Sequence, residues 1–442
     1  MSFGEVEYRR AFFCLQLSFR KGMRRLYDKI RQTIEKNKDR IINLTQDLVR
    51  INSENHPPTG SEGEVQEYTA DFWSQHNIDF DSFIPTDIPE FQTHPAYCDL
   101  GRSYENRPVV VAKLPGSGGG RSLILSGHVD TVPVAEGEWK FDPHSGKIED
   151  GKLYGRGSYD MKGGVAAMMM AACLLRENGI QLNGDLIIET VPDEEFASGN
   201  GTVAARARGY TADAAVITEP TAFNIVAAQR GFRLSQVTIA GKTGIPVIGG
   251  EMTNPVQHLA PVLQGIENFR NTRYSITKED TIMITKLAAN EFRPDELLTV
   301  PPECRIEVYW QVMPEEEMSD VDLAFEAAIC DACASDSYFE ANPPEITYHL
   351  RPMPGSRIPV DAPIVRETSA VIEAVMGKPA FVLDMFVPCD LFVFNKFSNI
   401  PAIVLGPRGD NAHAPNEYVI VDDLLTCAEI YMNLAVKWCG VA

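Results

Sequence analysis

His128 and Asp130 close an apolar run, LILSGHVD, and the two-residue period of an extended strand sends both side chains to one face. A carboxylate beside an imidazole can hold its tautomer, as the outer partner of a metal-binding histidine does, although HxD alone fits a structural histidine equally well. Asp160 sits in LYGRGSYDMKGG, where glycines allow a sharp turn before a helix and where Asp also commonly serves as a cap. Asp193, Glu194 and Glu195 follow the apolar run LIIETVP, and three adjacent acids repel one another unless a cation or water separates them. Glu219 ends AVITEPT, and His413 lies in GPRGDNAHAPNEY.

Each signal is ambiguous alone, but the repetition is not. In open parallel sheets, sites form outside the carboxyl ends of strands, which gathers these groups at one edge. His128, Asp160, an acid of the 193–195 run, Glu219 and His413 are two imidazoles and three carboxylates, a nitrogen and oxygen set suited to zinc, cobalt or manganese, with no thiolate offered. Five protein ligands are too many for one open catalytic zinc. They suit two divalent metal ions about 3.5–4 Å apart, with one bridging carboxylate and a shared water whose proton a remaining acid of the run takes.

The elements that must position them follow from periodicity. Residues 26–51 and 62–76 have helical spacing and read as two surface helices, while 108–114, 122–126, 185–191, 214–217 and 402–405 read as buried strands. GGVAAMMMAACLLRENG, between the second and third strands, is a helix stopped at Asn178 and Gly179, and its methionine triplet reads as core packing. Strand, helix, strand implies a parallel sheet. After Gln229 the texture becomes α+β: RLSQVTIAG and RIEVYWQVM alternate around a long helical stretch after Asn254, and this pattern ends near Pro344. The expected architecture is α/β, with a mainly parallel sheet and helices on both faces. Residues 23–228 and 349–442 form the catalytic domain, and an inserted α+β domain spans 229–348.

Of 442 residues, 44% are apolar and 23% charged, which suits a globular chain, and the net formal charge of −21 repels phosphate backbones, so nucleic acid is not an expected partner. Nine thinly scattered cysteines fit reduced thiols and a cytoplasmic location, and the lone Cys330/Cys333 CxxC reads as a helix face rather than a zinc or redox site. Residues 1–22 hold a short apolar stretch broken by Gln16 and Ser18, without a cleavage site, and are expected to be a poorly ordered extension rather than a signal peptide. No apolar run is long enough for a membrane span.

SGHVDTVP, GRGSYDMKGG, VPDEEFASGNGT, TEPT and AHAPNEY together resemble the di-zinc M20 peptidases, nearest to acetylornithine deacetylase and succinyl-diaminopimelate desuccinylase. The resemblance runs from Leu26 to the C-terminus. It implies that Asp160 bridges two metals, that His128 and Glu219 complete one site, and that Glu195 and His413 complete the other. It further implies Glu194 as general base, Asp130 as the group orienting His128, a cis peptide after Asp160, and an inserted lid through which a homodimer or higher oligomer forms. The activity implied is hydrolysis of a C–N amide bond in a small N-acyl amino acid or peptide-like substrate.

One departure matters. Relatives carry a lid histidine that donates to the oxyanion, whereas GKTGIPV has Ile245 there, and losing such a donor costs about 10²–10³ in rate. His258, nearby, reads as an ordinary lid histidine. An aminohydrolase releasing ammonia from an activated aromatic amine, as in nitroanthranilate-like chemistry, spreads charge into the ring and has no need of that donor. Asn254 and Arg230 match weaker substrate positions. Met385, Phe386, Phe392 and Trp310 are possible contributors to an aromatic pocket, although core packing is the better reading of them. A binding protein descended from a hydrolase is the third reading, against which the retained Glu194 argues.

Overall fold

The computed structural model describes residues 22–197, 199–246, 249, 251–290 and 299–441; the extension expected at 1–22 lies, save Gly22, outside them. The larger part is a nine-stranded mixed sheet. Its order is Ser356–Arg357, Ile225–Gln229, Ala402–Val404, Ala214–Ile217, Leu123–His128, Leu186–Val191, Val109–Leu114 and Asp79–Phe83, with Val382–Met385 pairing Ile225–Gln229 off this path. Leu123–His128 runs parallel to both its neighbours, and Ala402–Val404 parallel to Ala214–Ile217. Every residue of Leu123–His128 and Leu186–Val191 is buried, which requires cover on both faces and accounts for runs of uninterrupted apolar character.

The α/β class stands, while the sheet is less uniformly parallel than the strand–helix–strand pattern suggests. Asp79–Phe83 and Val109–Leu114 form an antiparallel pair continued onto Leu186–Val191, and Ile225–Gln229 is antiparallel to both Ala402–Val404 and Ser356–Arg357. These antiparallel partners are distant in sequence: residues 84–108 separate the first two strands, and the second sheet with its helices lies between Ile225–Gln229 and both of its antiparallel partners. The helix expected over 26–51 is also interrupted. Asn37 leaves helical geometry (φ −110°, ψ 16°), its side-chain amide donates to the Thr33 carbonyl at 2.8 Å, and a second helix, Lys38–Arg50, begins after it. A side chain competing for the helix's own carbonyls is the physical cause.

Helix Gly163–Glu177 is buried on all sides, its three methionines included. A second four-stranded antiparallel sheet, ordered Ile282–Ala288, Glu303–Val312, Gly231–Ala240 and Glu345–Tyr348, packs with helices Leu259–Thr277 and Met318–Cys333 around its own core. Cys333 points into that core while Cys330 is exposed, as expected of a helix face. Trp310 is fully buried there against Phe269 and Phe325, and Phe392 is buried in the larger core, so neither lines an open pocket. No helix among the described residues is long and apolar enough to cross a membrane.

Candidate metal centre

The parallel strands deliver the acids and one histidine to a single edge. His128 is the last residue of its strand, Glu194 and Glu195 follow Val191, and Glu219 follows Ile217. Asp160 arrives from a tight turn that starts at Gly157, whose φ of 79° favours glycine, and the Asp160–Met161 peptide is cis. That turn hangs on a fully buried acid, Glu417. Its Oε1 accepts the N–H groups of Tyr159 (3.0 Å) and Asp160 (3.1 Å), and its Oε2 accepts Gly157 N–H (3.0 Å) and Arg156 Nη1 (2.6 Å).

At the edge, Asp160 presents one oxygen to each histidine. His128 Nε2 lies 3.2 Å from Asp160 Oδ1 and 3.2 Å from Glu219 Oε1; His413 Nε2 lies 3.3 Å from Asp160 Oδ2 and 2.8 Å from Glu195 Oε2. Ligands about 2.0–2.1 Å from a tetrahedral metal are about 3.3 Å from one another, and three of these four histidine–carboxylate distances are close to that separation. Oxygens of Glu194 and Glu219 and a ring nitrogen of His128 lie within 4.8 Å of one another, so the Glu194 carboxylate stands next to the His128 and Glu219 pair.

The electrostatics fit the same occupant. Burial pushes the Glu219 and Glu195 carboxyls up, and the Asp160 carboxylate adds to both, with the neighbouring histidines opposing. Hydrogen bonds to Asp160 and Glu195 push His413 up to about 10. His128 would be lowered by burial, but Glu219 and Asp160 raise it well above the ordinary imidazole value. Asp160, despite its own burial, is held low by the two histidines. Protons favoured on both imidazoles and on the Glu195 and Glu219 carboxyls thus offset the converging negative charge while Asp160 stays ionised, and divalent cations would take the place of those protons.

Around this centre, Asp130 departs from its expected contact. Its backbone carbonyl, at 3.0 Å, is the nearer partner of His128 Nδ1, with the carboxylate at 3.6 Å. The carboxylate instead accepts the N–H groups of Glu194 and Glu195 and the Asn55 amide. The three adjacent acids do not all face inward, since Asp193 turns away onto Arg102, Arg107 and Tyr104. Asn55, Arg102 and Glu417 escaped the sequence reading because each is a single polar residue, Asn55 in the two-residue strand Asn55–His56 and the others in loops, and only their buried side chains mark them.

The weaker substrate positions lie elsewhere in the fold. Asn254 caps a short helical turn by accepting Val256 N–H, and Arg230 bonds Glu279 and Gln311 with its guanidinium 4.5 Å over the Phe386 ring. Ile245 is partly buried in the loop after Gly231–Ala240. His258 is tied to Asp336 at 2.7 Å and stacks on Tyr338, an ordinary structural role. A further trio, His76, Cys173 and Glu177, needs no cation, because Arg40 grips both Glu177 oxygens at 2.7 Å and the thiol is pushed up to about 12 by burial.

Known proteins resemble this chain in sequence and in fold. The model of the family described as peptidase family M20/M25/M40 matches residues 124–437. An N-formyl-4-amino-5-aminomethyl-2-methylpyrimidine deformylase of Bacillus subtilis (strain 168) is 26% identical over 440 residues, covering 93% of this chain and 97% of that protein. A succinyl-diaminopimelate desuccinylase of Methylobacterium radiotolerans is 35% identical over 175 residues, 37% of this chain and 44% of that one. An M20 family metallo-carboxypeptidase of Sulfolobus solfataricus shares the fold with a TM-score of 0.70 at 17% identity, over 90% of this chain and 99% of its own.

Proposed function

The chain belongs to peptidase family M20/M25/M40 and is a metal-dependent hydrolase of amide C–N bonds, and from that premise we propose that it removes a short acyl group from a small amine. The observation that carries this reading is the half-buried Glu194 carboxylate, close to His128 and Glu219 and beside two His–carboxylate groups that share Asp160. In our assignment His128, Glu219 and Asp160 hold one cation, and His413, Glu195 and Asp160 the other, with zinc first and cobalt or manganese as alternatives. When bound, the pair supplies Lewis acidity, which makes water nucleophilic at neutral pH and polarises the scissile carbonyl.

The remaining steps belong to the chain. Glu194 takes a proton from the attacking water and returns it to the departing nitrogen, so that acid and amine leave as separate products. Burial raises its carboxyl well above the usual range; His128 opposes that rise, and Asp390, Glu219 and Glu195 reinforce it. Residues 229–348 serve as the lid over a catalytic domain of 23–228 and 349–442. The lid's outermost strand, Ile282–Ala288, exposes Met283, Ile284 and Leu287, and nearby Tyr274 and Ile276 are also exposed, which supports a homodimer through that edge.

The full-length relative from Bacillus subtilis is by name a deformylase of an aminopyrimidine derivative, and a formyl or similarly small acyl group on a planar amine is the substrate class we take from it. Phe386 supports a planar partner: it is 59% exposed, lies under Arg230, and is four residues before Asp390, whose carboxylate is among the groups that raise Glu194. Ile245 favours the second reading, in which an aromatic amine loses ammonia, since an isoleucine donates no hydrogen bond to a carbonyl oxyanion. Incubating the metal-loaded chain with N-formyl and N-acetyl amines and with aminobenzoates separates the two. Formate or acetate with the free amine is the expected result, and ammonia without a carboxylic acid overturns it in favour of the second reading.

A further inference from the structure

We infer that Asn55, Arg102 and Asp193 form a brace that fixes the Glu194–Glu195 peptide, and with it the half of the centre held by Glu195 and His413. Asp193 has a left-handed backbone, φ 67°, and its side chain is almost fully buried, away from the other two acids. Its Oδ1 accepts Arg102 Nε (3.0 Å), Arg107 Nη2 (3.1 Å) and Asn55 Nδ2 (3.1 Å), and its Oδ2 accepts the Tyr104 hydroxyl (2.7 Å). Asn55 links two acids, because the same amide nitrogen donates to Asp130 Oδ2 at 2.8 Å while its oxygen accepts Arg102 Nη2 at 2.9 Å. Asp130 then accepts Glu194 N–H (3.0 and 2.9 Å) and Glu195 N–H (3.1 Å).

The peptide carrying the base and one ligand is therefore held from two sides, by Asp130 beneath its N–H groups and by Asp193 immediately before it. Asn55 ties the two together. Arg107 is shared with Glu62, which it grips at 2.6 and 2.7 Å, whereas among the described residues the hydrogen bonds of Arg102 go to Asp193 and Asn55. A buried ion pair is weak evidence of stability because desolvation offsets much of its attraction, so this one is better explained by the geometry it imposes. The requirement is steep: a displacement of about 1 Å in such a site costs about 10²-fold in rate, and removing outer partners of metal ligands typically costs about 10–100-fold in metal affinity. These are positioning residues, and none of the three belongs to either trio.

The inference rests on the two-cation reading above and is tested without substrate. Metal-free full-length chain is titrated with Co²⁺, followed by visible absorption, alongside the thermal unfolding midpoint. The parent takes up two ions. Arg102→Met, which keeps an apolar stem and removes the donors, leaves one ion bound as in the parent and weakens the other about 10–100-fold; Arg102→Lys falls between. Equal binding of both ions by Arg102→Met, or equal weakening of both, overturns the brace while the centre stands. A parent chain that fails to bind two ions overturns the centre, and the brace with it. Should Arg102→Met not fold, Asn55→Ser, which removes the link between Asp130 and Asp193 without stranding a charge, is titrated with the same outcomes.

Discussion

Glu417 accepts the backbone N–H of Asp160 at 3.1 Å, so the carboxylate facing both histidines is suspended from a second, fully buried acid. The Arg156 guanidinium, at 2.6 Å, compensates the charge of Glu417. Replacing Glu417 with Gln keeps the shape but puts an amide donor against backbone donors and leaves Arg156 without its anion. Breaking a buried pair costs about 3–5 kcal/mol. Glu417→Gln is expected to lower the unfolding midpoint and to weaken uptake of both cations, measured by thermal denaturation and metal titration.

Glu194 is assigned a proton-transfer role and no metal. Glu194→Ala is therefore expected to lower kcat by about 10²–10⁴, the usual contribution of a general acid–base group. Bound metal, measured by elemental analysis, stays at the parental ratio. Turnover near the parental rate in that variant removes the assignment.

Cation uptake must displace protons. His413, raised to about 10, and Glu195 and Glu219, raised by burial, all carry protons in the metal-free chain at mildly acidic pH, yet bind metal only without them. A raised pKa means the competing proton leaves only as pH climbs, so apparent affinity increases from pH 6 to pH 9 and the protons released per ion fall over that range. Calorimetric titration in buffers of different ionisation enthalpy measures both.

The exposed edge of the second sheet carries apolar side chains on both of its faces. Leu287→Lys, at 52% exposure, places a charge in that edge and is expected to convert the dimer we propose to a monomer in sedimentation velocity. A parent chain that sediments as a monomer contradicts the assignment of this edge.

Much of this site was legible because strand ends are legible. Continuous apolar runs marked Leu123–His128, Leu186–Val191 and Ala214–Ile217, and the polar residue after each had to emerge at one edge. Asp160 and His413 were found by donor type within glycine- and proline-rich loops. Donor type and spacing left open the division of labour in the 193–195 run, because the three residues are chemically alike; the family resemblance alone divided it, and in the structure a left-handed backbone at Asp193 and two arginines brought from residues 102 and 107 set that acid apart from Glu194 and Glu195. The antiparallel half of the sheet was hidden for a related reason, since buried strands look alike in composition whichever way they run. Asn37 broke a helix that its flanking periodicity continued straight through.

The central claim is a pair of cations joined by one carboxylate. Crystals of the zinc-loaded chain, measured with X-rays above and below the zinc absorption edge, test it most directly. Two anomalous peaks are expected about 3.5–4 Å apart, one between His128 and Glu219, the other between Glu195 and His413, with an Asp160 oxygen on each. A single peak, or peaks away from these five side chains, contradicts the account.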